Sequence, residues 1–87
     1  MVDYHLDFTA QGKSSLASLD KKVSQRVLDK LKWFIQHIDS IPPIPLYGTL
    51  LGLNKLRVGD WRVFYEINKN DHVVTVHKIG HRKDVYR

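Results

Sequence analysis

The stretch that most constrains the fold is Asn54 to Glu66, NKLRVGDWRVFYE, which predicts a β-hairpin. Gly59-Asp60 is a two-residue turn sequence between segments in which apolar and polar residues alternate. A turn at these two residues also sets the register of the two strands. Three pairs are then predicted to lie opposite each other: Val58 and Trp61, Arg57 and Arg62, and Leu56 and Val63.

The two faces of this hairpin differ because successive side chains of a strand point to opposite sides. One face is predicted to carry an apolar set that needs a core: Leu56, Val58, Trp61, Val63 and Tyr65. The other is predicted to carry Lys55, Arg57, Arg62 and Phe64. Two guanidinium groups directly across from each other destabilise a sheet unless an anion lies between them or both extend into water. The hairpin alone leaves both interpretations open.

The whole chain has the length and composition of one globular domain, residues 1–87. No apolar run is long enough to cross a membrane, and the N-terminus does not have the pattern of a signal peptide. There is no cysteine, so we expect a cytoplasmic protein without disulfides or a membrane partner. Lysine and arginine number 14 against nine acidic residues, which indicates a polyanionic partner or simply a basic soluble domain.

The pattern of apolar residues predicts the order β-α-α-β-β-β. Residues 2–8 alternate as a half-buried strand, and 9–19 favour a short helix that Thr9 caps. Residues 21–38 have the strongest helical stripe of apolar residues, and Asp20 is the predicted N-cap of this helix. The sequence IPPIP at 41–45 then predicts an extended connection, which a loop over 47–53 follows. Residues 73–79 are apolar on both faces, which predicts a central strand that Gly80 ends before a polar tail at 81–87.

These elements predict an α+β domain in which two N-terminal helices pack on one face of a small, mostly antiparallel sheet. The opposite face is left for function. Trp33 lies off the main stripe of the second helix, so we expect it to pack at the edge of the core rather than to serve as an exposed anchor for a partner.

Most catalytic templates are absent from the sequence. It has no glycine-rich phosphate loop and no serine or cysteine triad, and the five histidines lack a metal-binding spacing. We therefore expect neither a metal nor a cofactor. What remains is a set of basic and aromatic residues: Lys55, Arg57, Arg62, His81, Arg82, Lys83 and Tyr86. Such groups suit RNA cleavage, in which the 2′-hydroxyl is the nucleophile, but they equally suit binding of a phosphate backbone without cleavage.

The segments LRVGDWRVFYEI and VHKIGHRKDVYR together resemble the RelE/ParE superfamily of toxins from toxin–antitoxin systems. The resemblance covers nearly the whole chain. It implies a RelE-like fold and, for the RelE branch, a metal-independent endoribonuclease that cleaves mRNA in the ribosomal A site. It also implies a cognate, RelB-like antitoxin as a partner.

The resemblance also implies roles for individual residues. Arg62 and Arg82 would stabilise the phosphate in the transition state. Lys55 would bind phosphate or act as a base, Tyr86 would be the general base or stack on a nucleobase, and His81 would share the acid–base work. The expected contacts to the RNA backbone come from Arg57, Lys78 and Lys83.

One position departs from the RelE pattern, because Leu53 stands where a second lysine is found in that family. The division of catalytic labour among Lys55, His81 and Tyr86 therefore stays open. Two alternatives also stay open: a ParE-like inhibitor of DNA gyrase, which shares the fold, and a basic RNA-binding module without catalysis.

Overall fold

Helices and strands follow one another in the predicted order, with one short helix added near the C-terminal end. The computed structural model describes residues 3–42 and 52–85. Its elements are β1 (His5–Phe8), α1 (Ala10–Ala17), α2 (Lys21–Gln36), a 3₁₀ turn (Ile38–Ser40), β2 (Asn54–Val58), β3 (Trp61–Asn68), β4 (Val73–His81) and α3 (Arg82–Val85). The α+β fold class is confirmed.

The β2–β3 hairpin has the predicted turn and register. Val58 pairs with Trp61, and Arg57 with Arg62, as the two-residue turn requires. Gly59 adopts φ +60°, a left-handed conformation that glycine reaches without steric strain. The turn sequence therefore fixes which side chains share each face.

The four strands form one mixed sheet in the order β1-β4-β3-β2. β4 lies between β1 and β3, so the expectation of a central strand is confirmed. It pairs antiparallel with β3 and parallel with β1. The parallel pair needs the long crossover that α1, α2 and the hairpin provide.

A register shift explains why β4 is apolar at both odd and even positions. The β3–β4 ladder shifts between Phe64 and Tyr65, which pair with Lys78 and Val76 and leave His77 as the extra residue. Beyond a bulge the alternation of faces is offset by one residue. Val76 and Ile79 therefore both belong to the same buried core, although they are three residues apart.

Both N-terminal helices begin at the predicted caps. The Thr9 hydroxyl accepts a hydrogen bond from Gly12 N at 3.0 Å, and the Asp20 carboxylate accepts one from Lys22 N at 3.3 Å. Gly12 lies so close to the backbone carbonyl of Val76 that a side chain would clash there. This glycine lets α1 pack directly on β4.

The core lies between α2 and one face of the sheet. Val27, Leu31 and Phe34 of α2 are buried, and the Phe34 ring meets the Tyr65 ring edge-on at a centroid distance of 5.0 Å. Leu16 of α1 packs against the same cluster. The sheet supplies the remaining buried members: Leu56, Val58, Val63, Val74, Val76 and Ile79.

Several boundaries differ from the prediction. β1 begins at His5, although residues 3 and 4 were also expected in the strand, and α1 ends at Ala17 instead of residue 19. α2 ends at Gln36, two residues early: the His37 N–H is shared between the Trp33 carbonyl, as in an α-helix, and the Phe34 carbonyl, and the chain continues as the tighter 3₁₀ turn. Gly80 does not end β4, since it pairs with Arg62, and α3 then replaces the expected tail up to Val85.

Trp33 was expected at the edge of the core, and that expectation is wrong. The residue is 42% exposed and does not belong to the core cluster, and it borders the gap between α2 and β2.

Parts of the predicted strand, loop and tail lie outside the described residues: residues 1–2, 43–51, Tyr86 and Arg87. Among the helices that are described, none is both long and apolar enough to cross a lipid bilayer.

Candidate functional site

The face of the sheet opposite the helices carries two rows of paired residues. Lys55, Phe64 and Lys78 pair across three strands, and Arg57, Arg62 and Gly80 form the neighbouring row. Alternation along the strands places both rows on the same side. We call this surface the cationic face and define it by Lys55, Arg57, Arg62 and Lys78 around the fully buried Phe64.

Arg62 is the buried member of the cationic face, with 7% of its surface exposed. Its Nη1 donates to the carbonyls of Gly59 at 2.9 Å and Trp61 at 3.0 Å. The guanidinium group is therefore turned onto the hairpin turn, which relieves the repulsion from Arg57 that the sequence predicted. Backbone carbonyls thus take the place of the anion.

One donor of Arg62 is left over. Its Nε is buried and has no hydrogen-bond partner in the part of the chain that the structure describes. A buried donor without an acceptor is unfavourable, particularly on a charged group. An anionic oxygen that reached this donor, after a small movement of the covering side chains, would satisfy it.

Arg82 lies at the end of the cationic face, where β4 passes into α3. Its backbone N–H donates to the carbonyl of Asp60 at 2.8 Å, and its Nε lies 3.7 Å from Asp60 Oδ1. Both side chains are exposed, so the ion pair is weak and the guanidinium can leave it. The backbone bond fixes the start of α3 next to the hairpin turn.

His81 lies on the opposite face of the sheet from Arg62, because Gly80, the neighbour of His81, is the residue that pairs with Arg62. It pairs with Trp61, and the two rings meet edge-on with centroids 5.3 Å apart. Its Nδ1 accepts a hydrogen bond from Lys83 N at 3.2 Å, which leaves Nε2 for other partners. The structure thus brings His81 to the same end of the sheet as Arg82 but not onto the cationic face itself.

The remaining candidates divide by exposure. Arg57 and Lys83 are exposed, whereas Lys55 and Lys78 are half-buried beside Phe64. Tyr86 lies outside the described residues. The structure therefore brings together Lys55, Arg57, Arg62 and Lys78 on one face and Arg82 at its edge.

A different tyrosine has a clearly shifted pKa. Burial raises the pKa of Tyr65 from 10.0 to about 12, because the charged phenolate loses hydration there. Tyr65 belongs to the core and not to the cationic face, so it stays neutral and structural at physiological pH.

Arg26 of α2 is a residue that sequence reasoning missed. Its Nη2 lies 3.0 Å from the point where a Cβ on Gly59 would sit, so its guanidinium lies against the hairpin turn. With Arg62 and Arg82 it makes three arginines around Gly59 and Asp60. The helical stripe gave no signal for this position, because only the packing of α2 on the hairpin brings Arg26 there.

No group of three or more potential metal ligands of the histidine, cysteine or carboxylate type occurs within residues 3–42 and 52–85. The chemistry that this arrangement offers is cationic: fixed guanidinium and ammonium groups beside an aromatic ring. Such a surface binds phosphate groups and stabilises negative charge that develops during a reaction.

Comparison with known proteins identifies the family. A family model described as the ParE toxin of type II toxin–antitoxin systems (parDE) matches residues 6–86. The chain belongs to this family. It is thus a toxin of the RelE/ParE superfamily, as the two sequence segments indicated. No curated protein sequence matches the chain.

Solved structures share the fold of this toxin over nearly its whole length. The RelBE2 toxin–antitoxin complex of Mycobacterium tuberculosis matches with a TM-score of 0.80 and 23% identity, covering 93% of this chain and 100% of that one. The archaeal RelE–RelB complex of Pyrococcus horikoshii OT3 has a TM-score of 0.73 and 28% identity, covering 97% and 100%. Isolated RelE of Escherichia coli matches with a TM-score of 0.74 and 24% identity, covering 95% of this chain and 90% of that one. The RelE-like fold is confirmed.

Proposed function

We propose that this toxin is a ribosome-dependent endoribonuclease that cleaves translated mRNA through attack of a 2′-hydroxyl on the adjacent phosphodiester. The observation that carries the proposal is Arg62, a buried cation with an unpaired donor on a face that holds three more cations. The two carbonyls satisfy Nη1 but carry no net charge, and Nε stays without an acceptor, so burial of this guanidinium is unfavourable for a surface that needs only solubility. A scissile phosphate would be that partner.

The reaction requires three tasks of the protein. A base removes the 2′-proton, cations stabilise the dianionic phosphorane as the 2′-oxygen bonds to phosphorus, and an acid protonates the 5′-oxygen as its bond to phosphorus breaks. The products are a 2′,3′-cyclic phosphate and a free 5′-hydroxyl. Neither metal nor cofactor is needed.

Arg62 and Arg82 are proposed to stabilise the phosphorane. Arg62 is held in place by two carbonyls, whereas Arg82 needs only to leave its exposed contact with Asp60. The acid and the base are proposed to come from Lys55, His81 and Tyr86. We propose that the RNA backbone is contacted by Arg57, Lys78 and Lys83.

The ribosome is proposed to supply what the toxin lacks, which is an extended mRNA held in the A site. We also propose that a cognate antitoxin, RelB-like in type, neutralises the toxin in the cytoplasm. Support comes from the matching structures of RelE-type toxins solved as complexes with RelB-type antitoxins. An antitoxin of acidic, amphipathic character would complement the net charge of +5.

Inhibition of DNA gyrase is the second candidate, because the matching family model is that of ParE toxins. It would use the same fold without RNA chemistry. The two candidates differ in what Arg82 does: a nuclease needs it at the phosphate, while a gyrase inhibitor needs it only if it touches gyrase.

Primer extension on mRNA in a reconstituted translation system tests the proposal. We expect ribosome-dependent cuts with the wild-type toxin, a loss of about 10²–10³-fold in rate with Arg82→Ala, and unchanged cuts with Lys32→Ala, which removes a charge from the exposed surface of α2. Absence of cuts by folded wild-type toxin, combined with inhibited DNA supercoiling, would favour gyrase. RNA binding without cuts or supercoiling effects would indicate a non-catalytic module.

A further inference from the structure

A groove runs between α2 and the edge strand β2, next to the cationic face but on the helical side of the sheet edge. Its first part has a volume of about 500 Å³, and a second cavity of about 280 Å³ continues it along β2. Lys30, Trp33 and Arg57 line both parts. We call this surface the edge groove, lined by Arg26, Lys30, Trp33, Lys55, Arg57 and Gly59.

The charge of the edge groove is strongly positive. Arg26 and Lys30 lie one helical turn apart on α2 and face Arg57 of the hairpin. The acid in the same lining is Asp29, whose Oδ1 already accepts a hydrogen bond from Gln25 at 2.9 Å. The groove therefore complements an anion.

Trp33 gives the groove an exposed aromatic ring. It is the exposed large apolar side chain among the described residues, and it stacks on His37 with centroids 4.5 Å apart and planes 21° apart. Lys30 Nζ lies 4.2 Å from the centre of the indole. Stacking of a nucleobase on an aromatic ring is generally stronger than an exposed cation–π contact, so a base can displace this ammonium group.

We propose that the edge groove binds single-stranded RNA that continues beyond the cationic face. Phosphates bind Arg26, Lys30 and Arg57, and one base stacks on Trp33 after Lys30 has moved to a phosphate. The inference rests on the proposed function, because the RNA is the strand whose scissile phosphate lies at Arg62. Arg57 joins the two surfaces, since it belongs to both.

RNA fits this groove better than an acidic peptide does. Each nucleotide supplies both an anion and a flat ring, which is the combination that the groove lining requires. Carboxylates of a peptide would match Arg26 and Lys30 but would offer no flat partner to the indole of Trp33. Aromatic rings interleaved with basic residues are typical of surfaces that bind single strands.

Fluorescence anisotropy with labelled 2′-O-methyl oligonucleotides, which lack the attacking hydroxyl, tests the inference. A short strand of about 4 nucleotides spans one surface only, and a strand of about 12 nucleotides spans both. We expect Trp33→Ala to weaken binding of the long strand about five- to fifty-fold, and to change the affinity of the short strand, which can bind at the cationic face instead, by less than about two-fold. Trp33→Phe, which keeps a ring, is expected to restore most of the affinity.

The cations are tested by salt dependence. Arg26→Ala combined with Lys30→Ala should lower the slope of log affinity against log salt by about 1.4 for the long strand, which is about 0.7 per lost phosphate contact. The matched control combines Lys32→Ala with Lys69→Ala, two exposed lysines outside the groove. The control should leave the wild-type slope nearly unchanged.

The outcomes separate this inference from the proposed function. If Trp33→Ala and the Arg26→Ala, Lys30→Ala double variant bound both strands as the wild type does, the inference that the edge groove binds RNA would be overturned. RNA binding at the cationic face would then remain possible. Wild-type toxin that bound neither strand but cleaved mRNA on ribosomes would overturn the edge groove alone, whereas absence of both binding and cleavage would overturn the inference together with the proposed function. An acidic glutamate-rich peptide whose binding depended on Trp33, while RNA binding did not, would also overturn the inference and assign the groove to a protein partner.

Discussion

The two faces of the sheet differ in the kind of side chain that is buried on each. On the helical side, aliphatic and aromatic side chains from α2 and three strands form one continuous cluster. On the other side, one buried phenylalanine and one buried arginine lie among lysine and arginine side chains. The first arrangement lowers the free energy of the fold through apolar burial, whereas the second leaves a charged donor unpaired. The apolar core and the cationic groups therefore lie on opposite faces of one hairpin.

The largest expected effect lies on the helical side. Phe34→Ala removes a fully buried ring that touches Tyr65, so we expect the free energy of unfolding to fall by about 3–5 kcal/mol in urea titrations. Trp33→Ala, at the neighbouring exposed position, is the matched control and should change stability by less than about 1 kcal/mol. Similar losses for the two variants would contradict the assignment of the core to one face.

Arg62→Lys tests the buried cation of the opposite face. Lysine keeps the charge but lacks the planar guanidinium that places Nη1 between the carbonyls of Gly59 and Trp61, so we expect a loss of about 1–3 kcal/mol in unfolding free energy. Arg57→Lys, the exposed partner across the strand, should cost less than about 0.5 kcal/mol. An equal response of the two positions to urea would show that Arg62 is not held by its carbonyls.

Alkaline pH should destabilise the helical side through Tyr65. The pKa of this tyrosine is raised to about 12 by burial, so the folded state holds the proton more tightly than the unfolded state does. Its stabilising contribution is complete below pH 10 and is lost as pH rises through 12. Relative to the Tyr65→Phe variant, the free energy of unfolding of the wild type should fall by about 1 kcal/mol between pH 8 and pH 11.

That comparison is made by urea unfolding of the two proteins at each pH. Other groups titrate equally in both, so they cancel in the difference. Parallel stability curves above pH 10 would mean that the Tyr65 hydroxyl is hydrated in the folded state.

The smallest effect is expected from Asp60→Asn. The ion pair between Asp60 and Arg82 is exposed and 3.7 Å long, so its loss should change stability by less than about 0.5 kcal/mol. The backbone bond from Arg82 N to the Asp60 carbonyl remains in the variant. A loss above about 1 kcal/mol in thermal or urea unfolding would show that the ion pair, and not the backbone, holds the start of α3.

Much of the fold could be predicted because local chemistry agrees with the tertiary structure. Gly59-Asp60 fixed the register of the hairpin, and Thr9 and Asp20 marked both helix starts. The apolar stripe of α2 marked the core. These signals depend on residues close together in sequence, which is why they can be read without the structure.

Other features depend on contacts between distant segments. Gly80 looks like a strand breaker locally, yet it pairs with Arg62 inside the sheet. The shift at Phe64 and Tyr65 cannot be seen in either strand alone, because it is a property of the pair. The burial of Arg62 and the approach of Arg26 to Gly59 likewise arise only when α2 and the hairpin pack together.

We propose that the cationic face performs RNA chemistry while the helical side of the sheet stabilises the fold. The most direct test is the single-turnover rate of mRNA cleavage on programmed ribosomes by a variant that combines Lys55→Ala with Lys78→Ala, with its unfolding free energy measured in parallel. We expect a rate at least about 10²-fold lower and a free energy of unfolding within about 2 kcal/mol of wild type, since two half-buried side chains beside Phe64 are truncated. A folded variant that cleaves mRNA at the wild-type rate would contradict it.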